Sequence, residues 1–380
     1  MHFTRRHIVT ILILSCLAIL LISPNESTAS ARDALLLCFN IIIPSLFPFF
    51  VLSNIMIDTG TAQSLSRLLQ PVMTPLFNLN GACGTALAMG LIGGYPVGAR
   101  TAVSLYEKRL CTKAEAQRML AFCNNAGPAF IFGFVGMGVF ASSRIGLLLY
   151  LTHIAASITV GVVFRQYGRR GEQCTPMQIT DRTGKHCSPL QNFPNAFINA
   201  VTQAMQSVLN ICAFVIFFTV FVRMLFVFGI LPFVANVLSL FGMQTTIGYS
   251  LFAGLVEITG GLRNLQGDAM SSVTLAAFLL GWAGLSVHTQ VLSFLSHSNL
   301  GIWTYIAGKA LHAVISAAYM FIALRIASHD TTTMSIVSQQ VQILANLYFY
   351  QAFIVSMQIA SITLLALMLL RLAFRRSERG

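Results

Sequence analysis

The stretch Gly90-Leu-Ile-Gly-Gly-Tyr-Pro-Val-Gly-Ala-Arg100 and, after a basic polar interval, Phe122-Cys-Asn-Asn-Ala-Gly-Pro-Ala-Phe130 decide how this chain is read. Both are set in sequence apolar enough to lie in a bilayer. Lipid offers no partner to a free N–H or C=O, so backbone broken by glycine and proline at that depth must line a cavity or be packed inside protein. Broken segments of this kind hold solutes near the midplane of secondary transporters. A solute site is therefore the expectation.

Of 380 residues, 56% are hydrophobic and 9% charged, whereas a soluble domain carries roughly a quarter charged residues. The composition is that of an integral membrane protein. The net charge of +12 is gathered between apolar runs, a topology pattern and not a footprint for nucleic acid. Of eight cysteines, Cys16, Cys38, Cys83, Cys123 and Cys212 fall in or beside apolar runs. Cys174 and Cys187, with His186, sit in a polar loop and offer too few ligands to close a zinc site. They read as reduced thiols, and no metal or cofactor is expected.

Arg5 and Arg6 precede the apolar run Ile8–Ser23 and put the N-terminus in the cytoplasm. The run reads as a retained helix; the competing reading is a signal peptide ending among the small residues Ser27–Ala31. Asp33–Met56 reads as a second helix kinked at Pro44 and Pro48, and Gly60–Asn80 as a helix lying on the surface. Gly81–Val97 is shorter than the ~20 residues a crossing helix needs and carries Gly90, Gly93, Gly94 and Pro96, so it is expected to be re-entrant. Arg100, Lys108, Arg109, Lys113 and Arg118 mark the next loop as cytoplasmic, and Thr112-Lys-Ala-Glu115 has the form of a capping box.

Gln117–Phe140 and Ile145–Phe164 are expected as helices, followed by the basic cytoplasmic linker Arg165–Asn195. Ala196–Leu231 reads as a long helix, Gly248–Leu262 as a second re-entrant segment, and Val273–Leu292 and Ile302–Ile326 as helices. Ala327–Asn346 has no lysine or arginine and reads as external; the last helix, near Tyr348–Leu370, returns to a cytoplasmic C-terminus. The expected fold is an all-α polytopic membrane protein with about eight crossing helices. Its parts are an N-terminal anchor (residues 1–30), a first repeat (31–165), the linker (166–195), a second repeat (196–326) and an external polar segment with the last helix (327–380).

The halves match at an offset of 164 positions, which carries Gly90-Leu-Ile-Gly93 to Gly254-Leu-Val-Glu257 and Asn124-Asn125 to His288-Thr289. Three crossings and one re-entrant segment per half make the two repeats inverted, so their broken segments would face each other at the midplane. The competing reading is that the glycines only let helices pack closely.

Glu257 is the sole carboxylate well inside an apolar stretch, where an acidic group costs at least about 2.5–3.5 kcal/mol on insertion scales. It suits proton coupling, pairing with a cation or a bond to solute; a structural pair with Lys309, the only lysine in a crossing helix, is the plainer alternative. Asn124, Asn125, Ser286, His288 and Gln290 offer amide, hydroxyl and imidazole groups fit for a planar heteroaromatic or carboxylate solute, or simply for bonds between helices. Arg100, near the first broken segment, would draw an anion toward free N–H groups or merely mark the cytoplasmic side. Tyr95-Pro96 shapes the turn. His153 and His312 read as packing residues. No catalytic triad, paired carboxylate or P-loop is present, and an enzyme is not expected.

Gly93-Gly94-Tyr95-Pro96-Val97-Gly98-Ala99, Leu120 to Pro128, Gly254 to Gly261 with Glu257 and Thr259, and Leu285 to Gln290 followed by Gly308-Lys309 together resemble the YlbJ (SpoVV) sporulation integral membrane proteins, within the wider nucleoside-recognition Gate family related to concentrative nucleoside transporters. The resemblance covers roughly residues 35 to 325. It implies a protein of the outer forespore membrane that moves dipicolinic acid during sporulation, with Gly93, Gly94, Tyr95, Arg100, Asn124, Asn125, Glu257, Thr259, Ser286, His288, Gln290 and Lys309 as the residues expected around the solute. A nucleoside or nucleobase carrier, and a non-transporting scaffold for spore assembly, are the other readings. The expected partners are the small solute and the lipid bilayer, with an oligomer compatible and nucleic acid not.

Overall fold

A computed structural model describes residues 5–58, 61–168, 193–263, 265, 270–296 and 298–329. The expected last helix, most of the basic linker and most of the external segment lie outside these residues.

The described chain is helical and the protein is an all-α polytopic membrane protein. Helix α1 (Arg5–Ile22) occupies the first apolar run. Helix α2 (Pro24–Leu37) continues through a π turn at Cys38–Ile42 into α3 (Ile43–Asp58). The Ile43 N–H bonds back to Cys38 O across that widened turn, immediately before Pro44, which has no N–H to give. Helix α4 (Thr61–Phe77) keeps Pro71 and Pro75 inside it and ends at Asn78 with a φ of 54°.

Next comes the first hairpin, α5 (Gly84–Gly93) and α6 (Val97–Glu107). Its arms meet at Gly90 and Gly98; a methyl on either would run into the Cys123 carbonyl. The re-entrant segment read from the sequence is thus the first arm and tip of a longer hairpin. Helix α7 (Lys113–Phe122) opens with the expected capping box: Glu115 N–H donates to Thr112 Oγ1 at 3.2 Å and Thr112 N–H to Glu115 Oε2 at 2.9 Å. The buried Glu115 carboxylate also accepts from Asn80 N–H at 2.8 Å, tying the start of the hairpin to α7.

Gln117–Phe140 is not the continuous helix its hydropathy suggests. It is α7, a non-helical break at Cys123–Gly127 ended by Pro128, and a π-helical segment at Ala129–Val139. Pro128 withholds its N–H, and the asparagine side chains compete for backbone partners. Helix α8 (Ser143–Phe164) closes this half.

The second half repeats that order of elements. Helix α9 (Phe193–Val227) is followed by α10 (Ile230–Ser239), a separate helix where the sequence reading ran one helix on to Leu231 and assigned no element after it. A second hairpin, α11 (Thr245–Val256) and α12 (Ile258–Arg263), turns at Glu257, with Gly254 and Gly261 back to back. Val273–Leu292, also expected as one helix, is α13 (Met270–Trp282) and α14 (Gly284–Leu295), parted at Ala283 where φ is 78°. Helix α15 (Trp303–His329) ends the described chain.

Ser143–Phe164, Pro194–Val227, Met270–Leu295 and Trp303–Ile326 are long and apolar enough to cross a membrane; Leu69–Phe77 with Gly81–Gly93, bent by 96°, make a fifth span if taken together. The described residues therefore hold four or five such spans, fewer than the eight expected of the whole chain. Large apolar side chains such as Leu151, Leu209, Phe217, Val314 and Ile322 point outward from α8, α9 and α15, as a lipid-facing surface requires.

Candidate functional site

The break at Cys123–Gly127 leaves backbone groups without helical partners, and at membrane depth each must find another. Helices α8 and α15 supply them. Ser157 Oγ donates to Phe122 O at 2.8 Å, and Asn125 Nδ2 donates to the same carbonyl at 3.0 Å. Lys309 Nζ donates to Asn124 O at 3.0 Å. Ala126 N–H donates to His153 Nε2 at 3.0 Å. The unwound segment is held by side chains from two neighbouring helices.

These bonds also fix the imidazoles. Accepting at Nε2 puts the His153 proton on Nδ1, and His312, donating from Nε2 to His153 O at 3.0 Å, keeps Nδ1 free to face Lys309 Nζ at 3.4 Å. The two rings lie 4.4 Å apart. Tyr305 joins the halves: Asn124 Nδ2 donates to its hydroxyl at 3.2 Å, and that hydroxyl lies 3.0 Å from His288 Nδ1. A neutral His288 with its proton on Nε2 accepts the hydroxyl proton at Nδ1; the other tautomer donates to the hydroxyl instead.

The hairpin tips close on the breaks. At the first tip, Gly94 adopts a φ of 82°, and a methyl there would lie 2.8 Å from Gly127 N. Beside it stands Tyr95, with the Lys309 ammonium 5.9 Å from its ring centre. At the second tip both Glu257 oxygens are taken by the chain that follows: Thr259 N–H donates at 2.9 Å and Gly260 N–H at 2.6 Å. Trp282 Nε1 donates to Leu255 O at 3.2 Å, and its indole stands edge-on to His288 at 4.5 Å. Tyr95 and Ile258, one from each tip, belong to the same packed cluster, and Tyr95 lies within electrostatic reach of Glu257 and Tyr305.

Of the residues singled out from sequence, Gly93, Gly94 and Tyr95 form the first tip, and Asn124 and Asn125 the break against it. Glu257 and Thr259 form the second tip, while Lys309 reaches in from α15. Ser286, His288 and Gln290 are buried on α14, and His288 is joined to the cluster through Tyr305. The 164-residue offset does not carry over to this level: Asn124 lies in unwound chain, whereas His288 is a full turn inside α14. Glu257 and Lys309 do not pair, because each has taken nearer partners. Arg100 is not gathered in; it lies a turn down α6, its guanidinium 5.5 Å from the centre of the Phe294 ring.

Tyr305, His153, His312 and Trp282 were missed as site residues. The signal was there for two of them: Tyr305, Lys309 and His312 fall at i, i+4 and i+7 on an otherwise apolar helix, one polar stripe. After all these bonds, Tyr95 Oη, Asn124 Oδ1, Asn125 Oδ1, His153 Nδ1 and His288 Nε2 remain buried with no partner among the described residues. Buried polar atoms are satisfied as a rule, and these five belong to the same tips, break and helices that surround Lys309.

Known proteins were compared with this chain. A family model described as Gate, nucleoside recognition, matches residues 39–168. Among solved structures, CNTnw in an inward-facing substrate-bound state gives a TM-score of 0.45 at 14% identity, covering 84% of this chain and 87% of that one. CNTnw in an outward-facing state gives 0.43 at 15% identity, covering 85% and 87%. The sporulation integral membrane protein YlbJ of Bacillus subtilis (strain 168) is 30% identical over 317 residues, which cover 79% of this chain and 78% of that protein. The chain belongs to the family of the sporulation integral membrane protein YlbJ.

Proposed function

We propose that the protein carries a small planar anion, dipicolinic acid, across the outer forespore membrane during sporulation. The observation that supports this most is the fully buried Lys309, which has no carboxylate partner among the described residues and bonds to the Asn124 carbonyl and His312, with the Tyr95 ring 5.9 Å away. An ammonium at this depth is costly without a counter-charge, and an anionic solute would supply one. A pyridine ring with two carboxylates suits the groups at hand: Lys309 Nζ and His288 Nε2 as donors to carboxylate, Tyr95 as a flat wall. Asn124 and Asn125 would lie along the ring edge. In this reading the two halves are inverted repeats, and the tips at Gly94–Pro96 and Glu257 separate to admit the solute. Glu257 keeps the second tip in shape, and Ser286, Gln290, Thr259 and Arg100 line the approach.

A nucleoside is the second reading, favoured by the description of the Gate model that matches residues 39–168. Uptake into vesicles reconstituted with the purified protein separates the two. Dipicolinate should accumulate, and Lys309→Met should reduce its uptake tenfold or more. Uptake of uridine or adenosine with none of dipicolinate would replace the first reading by the second. No uptake of any of them, with normal spores from Glu257→Gln and Asn124→Ala strains, would leave the scaffold reading.

A further inference from the structure

Lys309 sits where a positive charge has little support. Its relative exposure is 0%, and its two hydrogen-bond partners are a backbone carbonyl, Asn124 O, and a ring nitrogen, His312 Nδ1. The titratable groups that face it are Tyr95 from the first hairpin, Cys123 beside Asn124 in the break, His153 from α8, His288 from α14, and Tyr305 and His312 on its own helix. Helix α13 contributes none. Helix α7, which also packs on α15, carries Glu115 and Arg118 toward its other end, where Glu115 bonds to Asn80 and Thr112 and Arg118 to Tyr167 O. Glu257 is occupied by Thr259 and Gly260 N–H. No anion in the described chain compensates the ammonium.

The charge can be relieved in two ways: the proton leaves, or an anion arrives. We propose that the two are linked, so that the Lys309–His312 pair takes up a proton as the anion binds and the anion crosses the membrane together with that proton. The proposal rests on the carrier reading above and names its coupling ion. The geometry fits a single proton shared along the 3.4 Å contact between Lys309 Nζ and His312 Nδ1, because His312 Nε2 already donates to His153 O and keeps Nδ1 as the acceptor. The proton comes from the aqueous side that the anion leaves and is released with it on the other, so the pair returns to the same state. The sign follows by linkage: if binding takes up a proton, affinity for the anion weakens as pH rises, by up to about tenfold per pH unit for one coupled proton.

Calorimetric titration of dipicolinate into the solubilised full-length protein, at one pH in two buffers of different ionisation heat, counts the protons taken up. At a pH where the ligand carboxylates are fully ionised, the expected result is close to one proton per bound anion. In Lys309→Arg, which keeps its charge permanently, the count should fall to zero. Binding to the unmodified protein with no proton uptake overturns the coupling and leaves the carrier reading standing, as does uptake that persists unchanged in Lys309→Arg. Failure to bind dipicolinate at all overturns both.

Discussion

Tyr305 carries more of the architecture than its place on an apolar helix suggests, since its hydroxyl is the single bridge between Asn124 in the first half and His288 in the second. Removing one member of a buried bonded set leaves the others unsatisfied, at about 1–3 kcal/mol for each stranded group. Tyr305→Phe should therefore lower the thermal unfolding midpoint in detergent and weaken solute binding together. An unchanged midpoint would mean that the bridge is not formed. Glu257→Gln is a milder change at the other tip. One oxygen acceptor remains for two N–H donors, so a stability loss of about 1–2 kcal/mol is expected, with binding reduced and not abolished; loss of binding in a protein of unchanged stability would instead give Glu257 a direct part in solute recognition. Such roles were only partly legible. Lys309 and Glu257 stood out because charge is rare in apolar sequence, whereas Trp282 looks like ordinary apolar filling until its indole N–H is placed against Leu255 O.

At the scale of elements, the tip of the first hairpin depends on Gly94 for two reasons at once. Its φ of 82° is a left-handed value that an L side chain rarely adopts, and Gly127 leaves no room for a methyl. Gly94→Ala should lose uptake and lower expression of folded protein. Gly133→Ala, with nothing within 4 Å of the added carbon, should leave both unchanged; equal damage from the two would mean that the tip packing is not the cause. Part of each hairpin could be seen in the sequence as a short apolar run interrupted by glycine, with Pro96 as well in the first. The breaks in the crossing helices could not. Asn124 to Pro128 was conspicuous as a motif, yet its apolar flanks favoured one continuous helix. Whether a chain unwinds there depends on partners for the freed backbone, and those are Ser157, His153 and Lys309, which lie 27 or more positions away. Ala283 gave no warning at all, since alanine is the strongest helix former; its positive φ comes just before Gly284, where a side chain would crowd Gly254 O and Ile258 N, contacts from distant sequence.

For the molecule as a whole, the distribution of arginine and lysine in the sequence leads us to expect the linker and the loop around Arg109 on the cytoplasmic side and the segment after Arg263 on the other. Single cysteines at Arg109 and at Asp268, introduced into a protein without other cysteines, should react with an impermeant thiol reagent from opposite faces of oriented vesicles. Labelling of both from one face would contradict the inverted arrangement. In the proposed carrier an inverted arrangement would bring the two tips to one small volume, and what occupies that volume decides between the readings. The most direct test is an experimentally determined structure of the protein with dipicolinate bound. The account predicts the ligand between the tips, with a carboxylate in hydrogen-bond reach of Lys309 Nζ and its ring beside Tyr95, Asn124 and His288. Ligand found elsewhere, with the tips closed on each other around an unoccupied Lys309, would contradict it.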